Sequence, residues 1–90
     1  MLRLYENWEL KLSSKALKYL DDIPKDDAGT ILEAVNAFSS DPYHGDIKKM
    51  AGLDNTWRRR LGNYRVFYTI FTKEKVVLIF RIERRTSKTY

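Results

Sequence analysis

The 90 residues hold 17 Lys and Arg against 12 Asp and Glu, a formal net charge of +5, with no cysteine and a single histidine, His44. That inventory excludes a disulfide framework, a thiolate metal site, a cysteine nucleophile and any multi-histidine metal centre. Residues 1–90 are expected to form one domain, burying roughly 60 % of the surface that the unfolded chain exposes. Charge is segregated along the chain. Residues 1–46 carry five Lys/Arg and nine Asp/Glu, whereas residues 47–90 carry twelve Lys/Arg and three Asp/Glu. Solubility alone does not require such sorting, and a basic half on a small domain points to a polyanionic partner, nucleic acid first.

Leu2, Leu4, Trp8, Leu10 and Leu12 share one parity, with Glu9 and Lys11 on the other, which predicts a first strand. The segment has no apolar core of the kind a signal peptide carries. No apolar run approaches the ~20 residues of a membrane helix. With no cysteine, the expectation is a soluble protein of a reducing, cytoplasmic compartment. Ser13 and Ser14 suit the N-cap of a short helix marked by Ala16, Leu17, Leu20 and Ile23, which Pro24 ends. A second helix starts near Lys25–Asp26, with Ala28, Ile31, Leu32, Val35 and Phe38 at helical spacing, and stops at Ser39-Ser40-Asp41-Pro42. Tyr43 to Thr56 reads as a loop. Trp57 and Leu61 then oppose Arg58 and Arg60 in parity, and Gly62-Asn63 is a hairpin turn signal before a strand from Tyr64 to Phe71. Thr72 to Lys75 is the next turn, Val76 to Ile82 the most apolar strand, and Glu83 to Tyr90 a polar, basic tail. The expected fold is α+β in the order β-α-α-β-β-β. An antiparallel sheet carries the helical hairpin on one face and leaves the other open.

Strand alternation assigns the charges to faces. Tyr64, Val66, Tyr68 and Ile70 form the core set, which turns Arg65, Phe67, Thr69 and Phe71 to the open face. On the last strand, period two groups Val76, Leu78, Phe80 and Ile82 against Val77, Ile79, Arg81 and Glu83. Arg58, Arg60, Arg65 and Arg81 are thereby expected on one side of the sheet, followed by Arg84, Arg85, Lys88 and Tyr90. Phe67 and Phe71 lie among them, as base-stacking aromatics do in sheet-based RNA binders. Lys48 and Lys49 read as further RNA contacts. For Arg58 and Arg60 alone, a solvated strand face is the plainer interpretation, and for Arg65 the plain alternative is an ion pair with a helix carboxylate.

Four blocks of the chain resemble the RelE/ParE family of small toxins. Ser13 to Leu20 is similar to the start of the family's first helix, and Asp41 to Gly52 to its loop into the second strand. Trp57-Arg58-Arg59-Arg60-Leu61-Gly62-Asn63-Tyr64-Arg65-Val66-Phe67-Tyr68 resembles the signature WRLRVGDYRVIY, and Ile82 to Tyr90 the C-terminal HR…VY element. The resemblance implies a toxin of a type II toxin–antitoxin system that enters the ribosomal decoding site. There it cuts mRNA by metal-independent attack of a substrate 2′-hydroxyl, and a cognate antitoxin blocks it. It implies catalytic roles for Arg58, Arg60, Arg65, Arg85 and Tyr90, with Arg81, Glu83 and Arg84 as secondary candidates. Beside these, the charge and strand reading expects RNA contacts at Lys48, Lys49, Phe67 and Lys88, and neither a metal nor a cofactor. Arginine is a poor base and serves best as a phosphate clamp, which leaves Glu83 as a candidate base. Three departures stand out. Arg84 occupies the place of the histidine found in some members, the step from Arg85 to Tyr90 is one residue longer, and Arg59 fills an apolar position. The alternatives are a ParE-type inhibitor of DNA gyrase and a catalytically silent RNA- or ribosome-binding relative.

Overall fold

The computed structural model describes residues 7–85. Strand β1 (Glu9–Leu12) leads into helices α1 (Ser14–Asp22) and α2 (Lys25–Ala37). Strands β2 (Ile47–Lys49), β3 (Thr56–Leu61), β4 (Tyr64–Phe71) and β5 (Val76–Arg84) follow. Ser13 caps α1 by accepting from the Ala16 N–H at 3.1 Å, and its hydroxyl donates to the Phe80 carbonyl at 3.2 Å, tying the helix start to β5. Asp26 and Asp27 in the first turn of α2 complement the positive end of its dipole.

The sheet order is β1-β5-β4-β3-β2. The β2–β3, β3–β4 and β4–β5 pairs are antiparallel, but β1 runs parallel to β5, so the sheet is mixed where a purely antiparallel one was expected. Alternation reports faces and says nothing of neighbours. β1 is a distant segment that reaches β5 by tertiary pairing alone. The fifth strand, β2, lies inside the expected Tyr43–Thr56 loop; three residues are too few for a period-two signal to register. The last strand continues through Arg84 into the segment expected to be a tail. Leu2 and Leu4 of the expected first strand lie outside the described residues.

The core is a sandwich of helix and sheet. Ala16 and Leu20 of α1 and Ile31, Val35 and Phe38 at and near α2 pack on Tyr64, Val66, Tyr68, Ile70, Val77, Ile79 and Ile82. Phe38 and Tyr68 stack at 4.4 Å between ring centroids. Burying such a set removes apolar area worth roughly 25 cal/mol per Å², the main term holding the helices down.

One irregularity reorganises β5. Phe67 pairs with Arg81 while Tyr68 pairs with Ile79, so Phe80 is an extra residue opposite the Phe67/Tyr68 step, a β-bulge. Unbroken alternation had grouped Val77 and Ile79 with Arg81 and Glu83. The bulge separates them. Val77 and Ile79 join Ile82 in the core, and Arg81 and Glu83 lie on the open side. Without it, a helix-facing Val77 and Ile79 would carry two charged side chains into the core, at a heavy desolvation cost.

Candidate active site

Pairing across β2, β3, β4 and β5 lines up Lys48, Arg58, Phe67 and Arg81 in one row on the open face. The row beside it holds Arg60, Arg65 and Glu83. Adjacent strands lie about 4.8 Å apart, so each row spans roughly the length of one to three nucleotide steps. The Arg65 Nη1 donates to Glu83 Oε2 at 3.2 Å, and the Arg81 Nη2 donates to Glu83 Oε1 at 2.8 Å. The Arg81 guanidinium also lies 5.5 Å from the Phe67 ring centroid, a cation–π contact. Among the described residues no carboxylate lies in salt-bridge range of Arg58 or Arg60. Toward the other end of the face, the Thr56 and Thr69 hydroxyls meet at 2.9 Å. Beyond them Phe71, Val76 and Leu78 line a shallow cleft with Lys11 and Glu74.

The structure therefore gathers Arg58, Arg60, Arg65 and Arg81 on one face, with Glu83 among them and Lys48 at the edge. Four other expectations change. Phe67 lies on the open face but is only 7 % exposed, so its ring is a seat for Arg81 in place of a free stacking surface. Lys49 pairs with Trp57 and Lys48 with Arg58, so alternation sends the two lysines to opposite faces. Arg84 sits 5.7 Å from the Tyr64 ring on the helix side, away from the cluster. Arg85 extends the β4–β5 ladder through its N–H to the Asn63 carbonyl, and its Nη1 donates to the Gly62 carbonyl at 2.9 Å, which turns it toward the β3–β4 turn. Tyr90 and Lys88 lie outside the described residues.

Two relationships at and near the site had no clear signal in the sequence. Glu83 links two arginines from different strands, legible only once the register is known. Arg59, at an apolar position of the signature, lies on the helix side, donates through Nη1 to the His44 carbonyl at 3.1 Å and contacts Gly45, pinning the loop before β2. Its Nε is buried with no hydrogen-bond partner. Gly45 has φ +107°, and a Cβ there would collide with the Arg59 guanidinium.

The tyrosines on the helix side are structural. The Tyr68 hydroxyl donates to the Pro42 carbonyl at 2.9 Å, and burial pushes its pKa well above that of free tyrosine. The Tyr64 hydroxyl donates to Asp27 at 2.7 Å, and that hydrogen bond is the main cause of its raised pKa. Burial likewise raises Tyr19. All three stay neutral near pH 7 and lie on the helix side of the sheet, opposite the face that carries the arginine rows. Among the described residues no three or more His, Cys, Asp or Glu side chains come together as a metal-ligand set. Positive charge at the site is supplied by guanidinium and ammonium groups.

The family model for the ParE toxin of type II toxin–antitoxin systems matches residues 10–88. This chain belongs to the RelE/ParE toxin family. The toxin is 27 % identical over 81 residues to the protein called toxin RelE1 of Methanocaldococcus jannaschii, covering 87 % of this chain and 90 % of that one. Its fold superposes on the toxin in the archaeal RelE–RelB complex of Pyrococcus horikoshii with a TM-score of 0.78 and 28 % identity, across 91 % of this chain and 99 % of that one. The isolated RelE toxin of E. coli gives the same TM-score, 0.78, at 16 % identity, with 90 % and 87 % coverage, which speaks for the fold alone. No helix among the toxin's described residues is long and apolar enough to cross a membrane.

Proposed function

We propose that this toxin is a ribosome-dependent endoribonuclease that cuts mRNA in the decoding site. The observation that carries the proposal is the convergence of Arg58, Arg60, Arg65 and Arg81 from three adjacent strands on an open sheet face. Cleavage by an internal nucleophile needs a group that takes the proton from the 2′-hydroxyl. It also needs cations around the phosphate as charge builds on its oxygens, and a proton for the leaving 5′-oxygen. Guanidinium groups meet the second need through fixed, forked N–H donors, so no metal is required. Arg60 and Arg65 face each other as like charges, an arrangement that a bridging phosphate would relieve. Arg85 reaches the site if its bond to the turn opens, and Tyr90 is the candidate for proton transfer. Glu83 is a weaker candidate base, because guanidinium N–H groups already engage both of its oxygens.

The protein acts in the cytoplasm, with the ribosome and its mRNA as the target and a cognate antitoxin as the inhibitor. Support for the antitoxin comes from RelE–RelB complexes among its structural relatives. The test is induction followed by primer extension on translated and untranslated copies of one mRNA. New ends on the translated copy alone are expected, lost in Arg65→Ala. The family model carries the ParE name, which favours gyrase inhibition as a second reading. DNA breakage without new mRNA ends would establish that one.

A further inference from the structure

Glu83 is the one acidic side chain among the described residues that is ion-paired within the arginine rows, and it is paired twice. Its two oxygens take separate guanidinium groups, Arg65 from β4 and Arg81 from its own strand. The β-bulge at Phe80 is what places Arg81 and Glu83 on this face together. Phe67 holds Arg81 from below through the cation–π contact, so the pair of guanidiniums is fixed before any ligand arrives. A carboxylate between two guanidiniums presents two anionic oxygens to two N–H forks, as a phosphodiester does with its non-bridging oxygens. All three side chains remain partly exposed, at 35 % for Arg65, 54 % for Arg81 and 28 % for Glu83, so an incoming anion can reach the pair from solvent.

We infer that Glu83 is an internal substitute for a substrate phosphate, occupying the Arg65–Arg81 site in the free toxin and leaving it when RNA binds. This deepens the nuclease reading and rests on it for the identity of the anion, an RNA phosphodiester. The exchange has two consequences. It prevents Arg65 and Arg81 from repelling each other in the free protein, and it weakens RNA binding by the cost of displacing the carboxylate. Glu83 is thus a positioning and gating residue, acting through the two arginines.

The experiment measures binding of a non-cleavable 2′-O-methyl oligoribonucleotide by fluorescence anisotropy across a salt series, using the full chain. Glu83→Gln keeps the side chain's shape and removes its charge. It should tighten binding about threefold, the scale of an exposed ion pair. It should also steepen the slope of log K against log salt by about 0.7, as one more phosphate is neutralised without a competing carboxylate. In an Arg65→Ala/Arg81→Ala background the same substitution should change neither, because nothing is left for Glu83 to occupy. Unchanged or weaker binding by Glu83→Gln would overturn the exchange, and so would an equal effect in the double-alanine background. Parallel cleavage assays on ribosome-bound mRNA separate the two ideas. Cleavage by the parent with no tightening by Glu83→Gln sinks the exchange and spares the nuclease. Tightening with no cleavage by any form keeps the exchange and removes the nuclease.

Discussion

Arg60 and Arg65 stand directly opposite each other on β3 and β4, two cations on one open sheet face. Cross-strand pairs of like charge destabilise a sheet by roughly 0.2–1 kcal/mol. Replacing Arg60 with Thr, a good strand former, should therefore raise stability by a few tenths of a kcal/mol to about 1 kcal/mol. It should also reduce mRNA cleavage at least tenfold, the usual exchange of stability for function at an active site. Urea unfolding and primer extension on the same preparations check both halves. A stability gain with full cleavage would remove Arg60 from the site.

Phe67 is 7 % exposed beneath the Arg81 guanidinium and lies 6.4 Å from the Phe80 ring. Phe67→Ala should cost about 3 kcal/mol through the cavity it leaves, and Phe67→Leu much less. Both should loosen Arg81, so Phe67→Leu should weaken oligonucleotide binding severalfold while remaining folded. Tighter binding by Phe67→Leu would show that the ring obstructs RNA.

The tyrosine hydroxyls on the helix side make stability sensitive to alkaline pH. Tyr68, Tyr64 and Tyr19 all have pKa values raised above the ordinary value near 10. A folded-state pKa above the unfolded one means that their contribution is fully present below about pH 10 and is lost as pH rises through the folded value. Circular dichroism should show the unfolding midpoint falling steeply above about pH 10. Tyr68→Phe should lower stability at pH 7 by about 1 kcal/mol, from loss of the bond to Pro42, and should flatten the alkaline fall. An unaltered alkaline profile in Tyr68→Phe would assign the loss to other groups.

Gly45 adopts φ +107° against the Arg59 guanidinium, which holds the loop ahead of β2. Gly45→Ala should cost more than about 1 kcal/mol, combining an unfavourable backbone angle with a steric clash. Arg59→Leu removes the obstacle together with the buried, unpartnered Nε. The cost of Gly45→Ala should fall in that background, and a double-mutant cycle in urea measures the coupling. Simple additivity would mean that Arg59 does not confine Gly45.

Much of this molecule is written in local pattern. Period two in residues 64–71 separated Tyr64, Val66, Tyr68 and Ile70 from Arg65, and period 3.6 placed Ala16, Leu20, Ile31, Val35 and Phe38 on the sheet, although Leu17 and Leu32, marked by the same period, stay exposed at the edge of the apolar stripe. The Trp57–Tyr68 block announced the family, and the same alternation sent Arg58 and Arg60 to the open face beside Arg65. Each of these follows from forces between residues close in sequence, where the geometry of a strand or helix decides which side chains share a face. Tertiary structure decided what depends on distant partners. It set β1 parallel beside β5, built a three-residue strand at Ile47–Lys49 against β3, and opened a bulge at Phe80. From that bulge came the Arg65–Glu83–Arg81 cluster, because a single extra residue reverses which side every later residue of the strand faces. The cost of burying Arg81 and Glu83 favours that reversal, and it is felt only once the helices have covered the other face.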